Sequence, residues 1–191
     1  RDSDDPASAI RSAIEAVNNG ECIVIYPEGT MTRDPDYWPM KGRSGAAQLG
    51  LITGAPVIPM AQWGPQEVIR PYETEFNLFP RKTMQTLVGE PVDLDDLRGK
   101  ELTADVLHEA TERIMAAITA LLEELRGEEA TAEPLDFREW KAAQESGQPV
   151  VRTMARKPRP VSPATKKAAT KKTTPAAKKT ATAKKAATAK K

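Results

Sequence analysis

The stretch Cys22-Ile23-Val24-Ile25-Tyr26-Pro27-Glu28-Gly29-Thr30 is a β-branched apolar run that breaks at a proline and then turns polar. A continuous apolar run this short, bounded by turn residues, predicts a strand buried on both faces in the sheet of an α/β domain. Pro27 ends it, because proline has no N–H to give to a sheet ladder. Ligands of α/β sheets bind in the crevice beyond the carboxyl end of a strand, which makes the loop leaving Tyr26 the first place to look for a site.

Working outward, Asp5 and Pro6 form a helix start, and Ile10, Ile14 and Val17 recur at spacings of four and three before Asn18, Asn19 and Gly20 stop the pattern. After the loop, Ser44 is the expected cap of a helix containing Ala46, Ala47, Leu49 and Ile52, closed by Gly54. Residues 57–61, Val-Ile-Pro-Met-Ala, read as a second buried strand and residues 83–88 as a further one. The Pro-rich interval between them carries no clear element. The strongest helix is 104–126, where Leu107, Ala110, Ile114, Ile118, Leu121 and Leu125 share one face between a Thr103 cap and a Gly127 stop. Alternating strands and helices predict an α/β fold with a mixed sheet flanked by helices.

Three segments follow from composition. Residues 1–126 form the domain, residues 127–150 an acid-rich linker, and residues 151–191 a basic tail of Lys, Ala and Thr. The tail holds 14 Lys and Arg and no acid, leaving 14 bases against 27 acids, a net −13, in residues 1–150. With almost nothing to bury, the tail is expected to be disordered. Within the linker, Leu135, Phe137 and Trp140 are the apolar residues able to anchor it to the domain, the last two at helical spacing. The single cysteine, Cys22, excludes a disulfide framework and a multi-thiolate zinc site, and the scattered acids with one histidine imply no metal. No run approaches the roughly 18 apolar residues of a membrane-spanning helix.

The loop between residues 27 and 44 has the chemistry of an anion site. Gly29 lets the backbone come close to a ligand, Thr30 and Thr32 offer hydroxyls, and Arg33, Lys41 and Arg43 are cationic. The helix after Ser44 adds free N–H groups at its positive end, an arrangement suited to phosphate. Charge content alone favours the plainer reading, a solvated polar turn whose three cations face water.

The string Tyr26-Pro27-Glu28-Gly29-Thr30 after an apolar strand, followed by Lys41-Gly42 and then by Val57-Ile58-Pro59, resembles the lysophospholipid acyltransferase family, specifically bacterial 1-acylglycerol-3-phosphate O-acyltransferases. The resemblance spans about residues 1–126. It implies a glycerolipid acyltransferase-like fold and transfer of a fatty acyl chain from a thioester donor, acyl-CoA or acyl carrier protein, to the free hydroxyl of a lysophosphatidate, with no cofactor. It also implies that Glu28, Gly29 and Thr30 shape the acceptor site and that Lys41 and Gly42 match a Lys-Gly pair that often follows. The family usually places Arg directly after the Thr; here that position is Met31, and the nearest cation is Arg33. A further family arginine, upstream of the preceding helix, falls on Arg1.

Acyl transfer to an alcohol needs a base at the attacking hydroxyl, and the family supplies it from His-x-x-x-x-Asp. The single histidine here, His108, has Arg113 five places on. A chain that starts at Arg1 is therefore expected to leave the catalytic pair upstream and to be inactive by itself. The tail suits an anionic membrane surface, which predicts a cytoplasmic protein peripheral to the inner face of the plasma membrane. Its likeness to histone-like tails carries the rival expectation, a non-catalytic nucleic-acid-binding or scaffold protein; no aromatic lies beyond Trp140 to stack on a base.

Overall fold

The computed structural model describes residues 6–130 and 132–147. The chain divides into two units, Arg1–Lys157 and Pro158–Lys191, and every described residue lies in the first. The expected Asp5 cap, Arg1 and the basic tail lie outside the described residues.

Helix α1, Pro6–Asn18, ends where Asn19 and Gly20 donate back to the last turn, with Gly20 in the left-handed region. Helix α2, Gly45–Thr53, closes on Gly54, whose φ of +69° lets its N–H reach the Gly50 carbonyl. The expected Ser44 cap is corrected. Ser44 is itself helical, at φ −70° and ψ −4°, and its side chain makes no capping bond. A capping hydroxyl reaches forward only from an extended backbone, so Ser44 instead contributes its carbonyl to Gln48 N at 2.8 Å. Strand β1, Met60–Trp63, the one-turn helix α3, Pro65–Val68, and strand β2, Gln85–Val88, follow. Helix α4, Ala104–Arg126, is capped by the Thr103 side chain at Val106 N and ended by left-handed Gly127, as its sequence dictates. Helix α5, Phe137–Ser146, occupies the linker.

Among the described residues the sheet has two strands, β1 and β2, antiparallel with Met60 opposite Val88 and Trp63 opposite Gln85. The strand expected at 57–61 is thus shifted along the chain. Its pairing does continue upstream, because the Pro59 carbonyl accepts from Gly89 N and the Val57 carbonyl from Val92 N, both at 2.9 Å. Pro56, Pro59 and Pro91 have no N–H to complete the ladder there, so the regular strand begins only at Met60.

The strand expected at 22–26 is also corrected. These residues form no strand, and Val24 and Tyr26 are 66% and 81% exposed. A strand needs a neighbour for its N–H and C=O groups, and no described segment lies alongside this one. The architecture is α/β in content, but the expected mixed sheet is corrected: among the described residues it is a two-stranded antiparallel sheet, on which α4 packs.

The amphipathic face of α4 organises the core. Ala110 and Ile114 pack with Ala47 and Leu51 of α2 and with Leu94 and Leu97. Nearer its C-terminus, Leu122 meets Ala61 of β1 and Trp38 from the loop between α1 and α2. That second contact seats the loop on the domain.

Candidate acceptor site

Tyr26, Pro27, Glu28 and Gly29 make a tight turn, closed by Gly29 N donating to the Tyr26 carbonyl at 3.0 Å, with Pro27 where proline is favoured and Gly29 at φ +69°. The loop then folds back until its two limbs touch. Arg43 N donates to the Pro27 carbonyl at 2.7 Å, and Met40 N donates to Glu28 Oε2 at 3.0 Å. Met40 is fully buried and accepts from Arg33 N through its sulfur, which plugs the loop's interior. Between the limbs, Thr32 Oγ1 donates to the Trp38 carbonyl, and Asp34 accepts from Asp36 N.

This closure brings the two halves of the sequence motif together, with separate tasks for its residues. Glu28 is half-buried and cross-links the limbs. Burial pushes its carboxyl above the ordinary value of 4.5, the Met40 N–H pulls it down, and nearby Asp34 adds to the rise. Gly29 lies directly under Arg43, so that a Cβ there would stand 3.1 Å from Arg43 Nε. Thr30 Oγ1 is 3.4 Å from the Tyr72 hydroxyl. Lys41 is committed to the linker: its N–H donates to the Leu135 carbonyl at 2.9 Å and its Nζ lies 3.6 Å from Asp136. Burial would raise Asp136, but the Arg138 N–H and Lys41 outweigh it and hold that carboxyl below its usual range. Gly42 faces α4 rather than solvent, against Met115 and Thr111.

Arg33 is stacked rather than presented. Its guanidinium carbon lies 3.2 Å from the centre of the Tyr72 ring and 4.7 Å from that of Trp140, and its Nε is buried without a hydrogen bond. Leu135 and Trp140 join the linker to the loop, the first buried with its carbonyl accepting from Lys41 N and the second under Arg33, whereas Phe137 stacks on Trp140 at 5.9 Å within α5. Arg43 is exposed, as Lys41 is, but unlike Lys41 it makes no ion pair among the described residues. His108 is exposed on α4. A cavity of about 690 Å³ opens between α3 and the segment after it, lined by Tyr37, Gln66, Arg70, Asn77 and Lys82 among others, and none of the motif residues lines it.

Two contributors escaped the sequence. Tyr72, in the Pro-rich interval without a predicted element, adopts φ +68° and donates its hydroxyl to the Met31 carbonyl at 2.6 Å. A bulky residue in the left-handed region is held there by its surroundings, here Met31, Thr30 and Arg33. Arg126, which sequence reasoning places at a helix end, reaches between Trp38 and Trp63, at 3.9 and 4.4 Å, and donates to the Asp36 carbonyl at 2.7 Å.

An acyltransferase family model matches residues 1–63, which contain the turn, the loop and both of its limbs. The 1-acyl-sn-glycerol-3-phosphate acyltransferase of Bacillus subtilis (strain 168) is 30% identical over 110 residues, covering 56% of this chain and 50% of the relative. The chain is 1-acylglycerol-3-phosphate acyltransferase-like. It spans about half the length of the curated relative it matches. No solved structure matches it. In this acyltransferase-like chain the Pro-Glu-Gly-Thr turn and the Lys-Gly pair lie on adjoining limbs of one loop.

Proposed function

We propose that this chain supplies the acceptor-binding part of an acyltransferase that moves a fatty acyl chain from a thioester to the free hydroxyl of a 1-acylglycerol 3-phosphate, in phospholipid biosynthesis, on a glycerolipid acyltransferase-like fold. The observation that carries the reading is the Pro27–Arg43 hydrogen bond, which lays the bare backbone of Gly29 beside an exposed, unpaired guanidinium. A phosphate monoester fits such a pair, since arginine binds it through two parallel N–H groups and a glycine backbone admits close approach. Arg43 thereby takes the part that the sequence offered to Arg33 and Lys41, whose charges are engaged by aromatic rings and by Asp136. Glu28 and Gly42 keep the loop closed, and Thr30 borders the same surface.

The 191 residues contain a single histidine, exposed His108, with no aspartate five places on, so the reading assigns them acceptor binding without a proton-abstracting base. The donor is acyl-CoA or acyl carrier protein, and the basic tail draws the protein to the anionic cytoplasmic face of the membrane. Calorimetric titration with glycerol 3-phosphate tests the site: binding that Arg43→Ala weakens tenfold or more supports it, and equal binding by the two proteins overturns it. Acyl-CoA and lysophosphatidate mixed with the 191-residue chain should give no turnover.

A further inference from the structure

The segment between α3 and β2 presents large apolar side chains outward. Phe76, Leu78 and Phe79 are 69%, 58% and 85% exposed within four consecutive positions. Single exposed apolar residues are ordinary, but a run that includes two phenylalanines at a loop tip marks a contact surface. The segment is held in shape rather than splayed: Asn77 N donates to the Val68 carbonyl at 2.7 Å, Glu73 N to the Arg70 carbonyl at 3.1 Å, and Tyr72 ties it to Met31.

The charge around this tip differs from that of the rest of residues 1–150. In a stretch of net −13, residues 69–84 hold three bases, Arg70, Arg81 and Lys82, against the two acids Glu73 and Glu75. Arg81 and Lys82 follow Phe79 and Pro80 directly, and neither makes an ion pair among the described residues. Exposed aromatic rings beside unpaired cations are the pattern of a segment that dips into the headgroup boundary of an anionic bilayer, rings in the acyl region and cations at the phosphates.

We infer that residues 76–82 form a membrane-contact tip that seats this protein on an anionic bilayer beside its acceptor loop. Tyr72 supplies the geometric link, since the chain that carries the tip also touches Thr30, Met31 and Arg33. A lipid acceptor would then enter the site from the bilayer. The choice of bilayer as partner rests on the lipid-acceptor reading above.

The test uses the full 191-residue chain and vesicles of phosphatidylcholine with phosphatidylglycerol, in 0.5 M salt to screen the lysines of the tail. Phe76→Ser with Phe79→Ser should lower vesicle partitioning tenfold or more, while glycerol 3-phosphate affinity in solution stays unchanged. In a second measurement, the added emission of Phe79→Trp should be quenched by lipids brominated on their acyl chains. Equal partitioning of wild type and double variant, or no quenching of the new tryptophan, overturns the inference. So does a wild-type oligomer that the double variant dissolves without change in partitioning, since the tip would then bind a second copy. Loss of glycerol 3-phosphate binding on Arg43→Ala needs no vesicle, so the acceptor site and the membrane tip fail separately.

Discussion

Gly42 lies against Met115 so closely that a Cβ on the glycine would stand 2.7 Å from the methionine sulfur and 3.2 Å from the Thr111 methyl. The glycine of the Lys-Gly pair is thus a packing requirement of the loop on α4. Gly42→Ala is expected to cost about 1–3 kcal/mol, the usual penalty for overpacking, with Met115→Ala recovering part of it in the double variant. Urea denaturation of the two singles and the double checks this, and additive losses would show that the two sites do not meet.

Glu28 sets a pH dependence whose sign follows from its burial. Its folded pKa lies above the ordinary 4.5, so the folded state holds the proton more tightly than the unfolded chain does. This carboxyl's contribution to stability therefore declines as pH rises from about the unfolded value through the folded one, and stays lower at neutral pH. Glu28→Gln keeps an oxygen for Met40 N and removes the ionisation. Urea midpoints measured at intervals from pH 4 to 8 should show the downward contribution of wild type missing from the variant.

Arg126 is sandwiched between Trp38 and Trp63 and donates to the Asp36 carbonyl and the Glu128 carboxylate. An ammonium cannot stack in this way or donate to both at once, so Arg126→Lys is expected to cost about 1–3 kcal/mol. Because the arginine holds the loop carrying Trp38 and Met40, the variant should also red-shift tryptophan emission in the native state. An unchanged spectrum and midpoint would contradict this.

Arg33 and Arg43 should separate experimentally. Arg33→Ala removes the contact that joins Tyr72 to Trp140 and is expected to cost about 1–2 kcal/mol, with only a minor change in glycerol 3-phosphate affinity. Arg43→Ala should do the opposite, leaving stability within about 0.5 kcal/mol because its head is exposed and unpaired. Calorimetry and thermal unfolding on both variants distinguish the roles.

Thr103→Ala removes the side-chain acceptor of Val106 N, a bond of 3.4 Å at an exposed helix end. The length places the expected loss at the low end of the capping range, about 0.5 kcal/mol, readable as a small drop in the urea midpoint.

Periodicity and end signals alone placed α4 and the stops of α1 and α2, because those elements are decided by neighbours three and four residues apart and by glycines that accept a positive φ. The sequence marked the linker only as carrying an apolar anchor, and helix α5 within it is not predicted although Phe137 and Trp140 stand at helical spacing; the string around Glu28, Gly29 and Thr30 pointed to the loop described above. The sequence did not decide whether residues 22–26 would pair: apolar β-branched side chains favour an extended backbone, but a strand exists only where another segment offers its N–H and C=O groups, and none of the described segments does. Nor did it decide which cation would be left for a ligand. Arg33, Lys41 and Arg43 are equivalent as formal charges, and only the folded chain set Tyr72 and Trp140 on the first and Asp136 beside the second while leaving the third exposed over Gly29. Local order is written in near neighbours along the chain, whereas the availability of a charge depends on groups up to about a hundred positions away that only tertiary packing brings within a few ångströms.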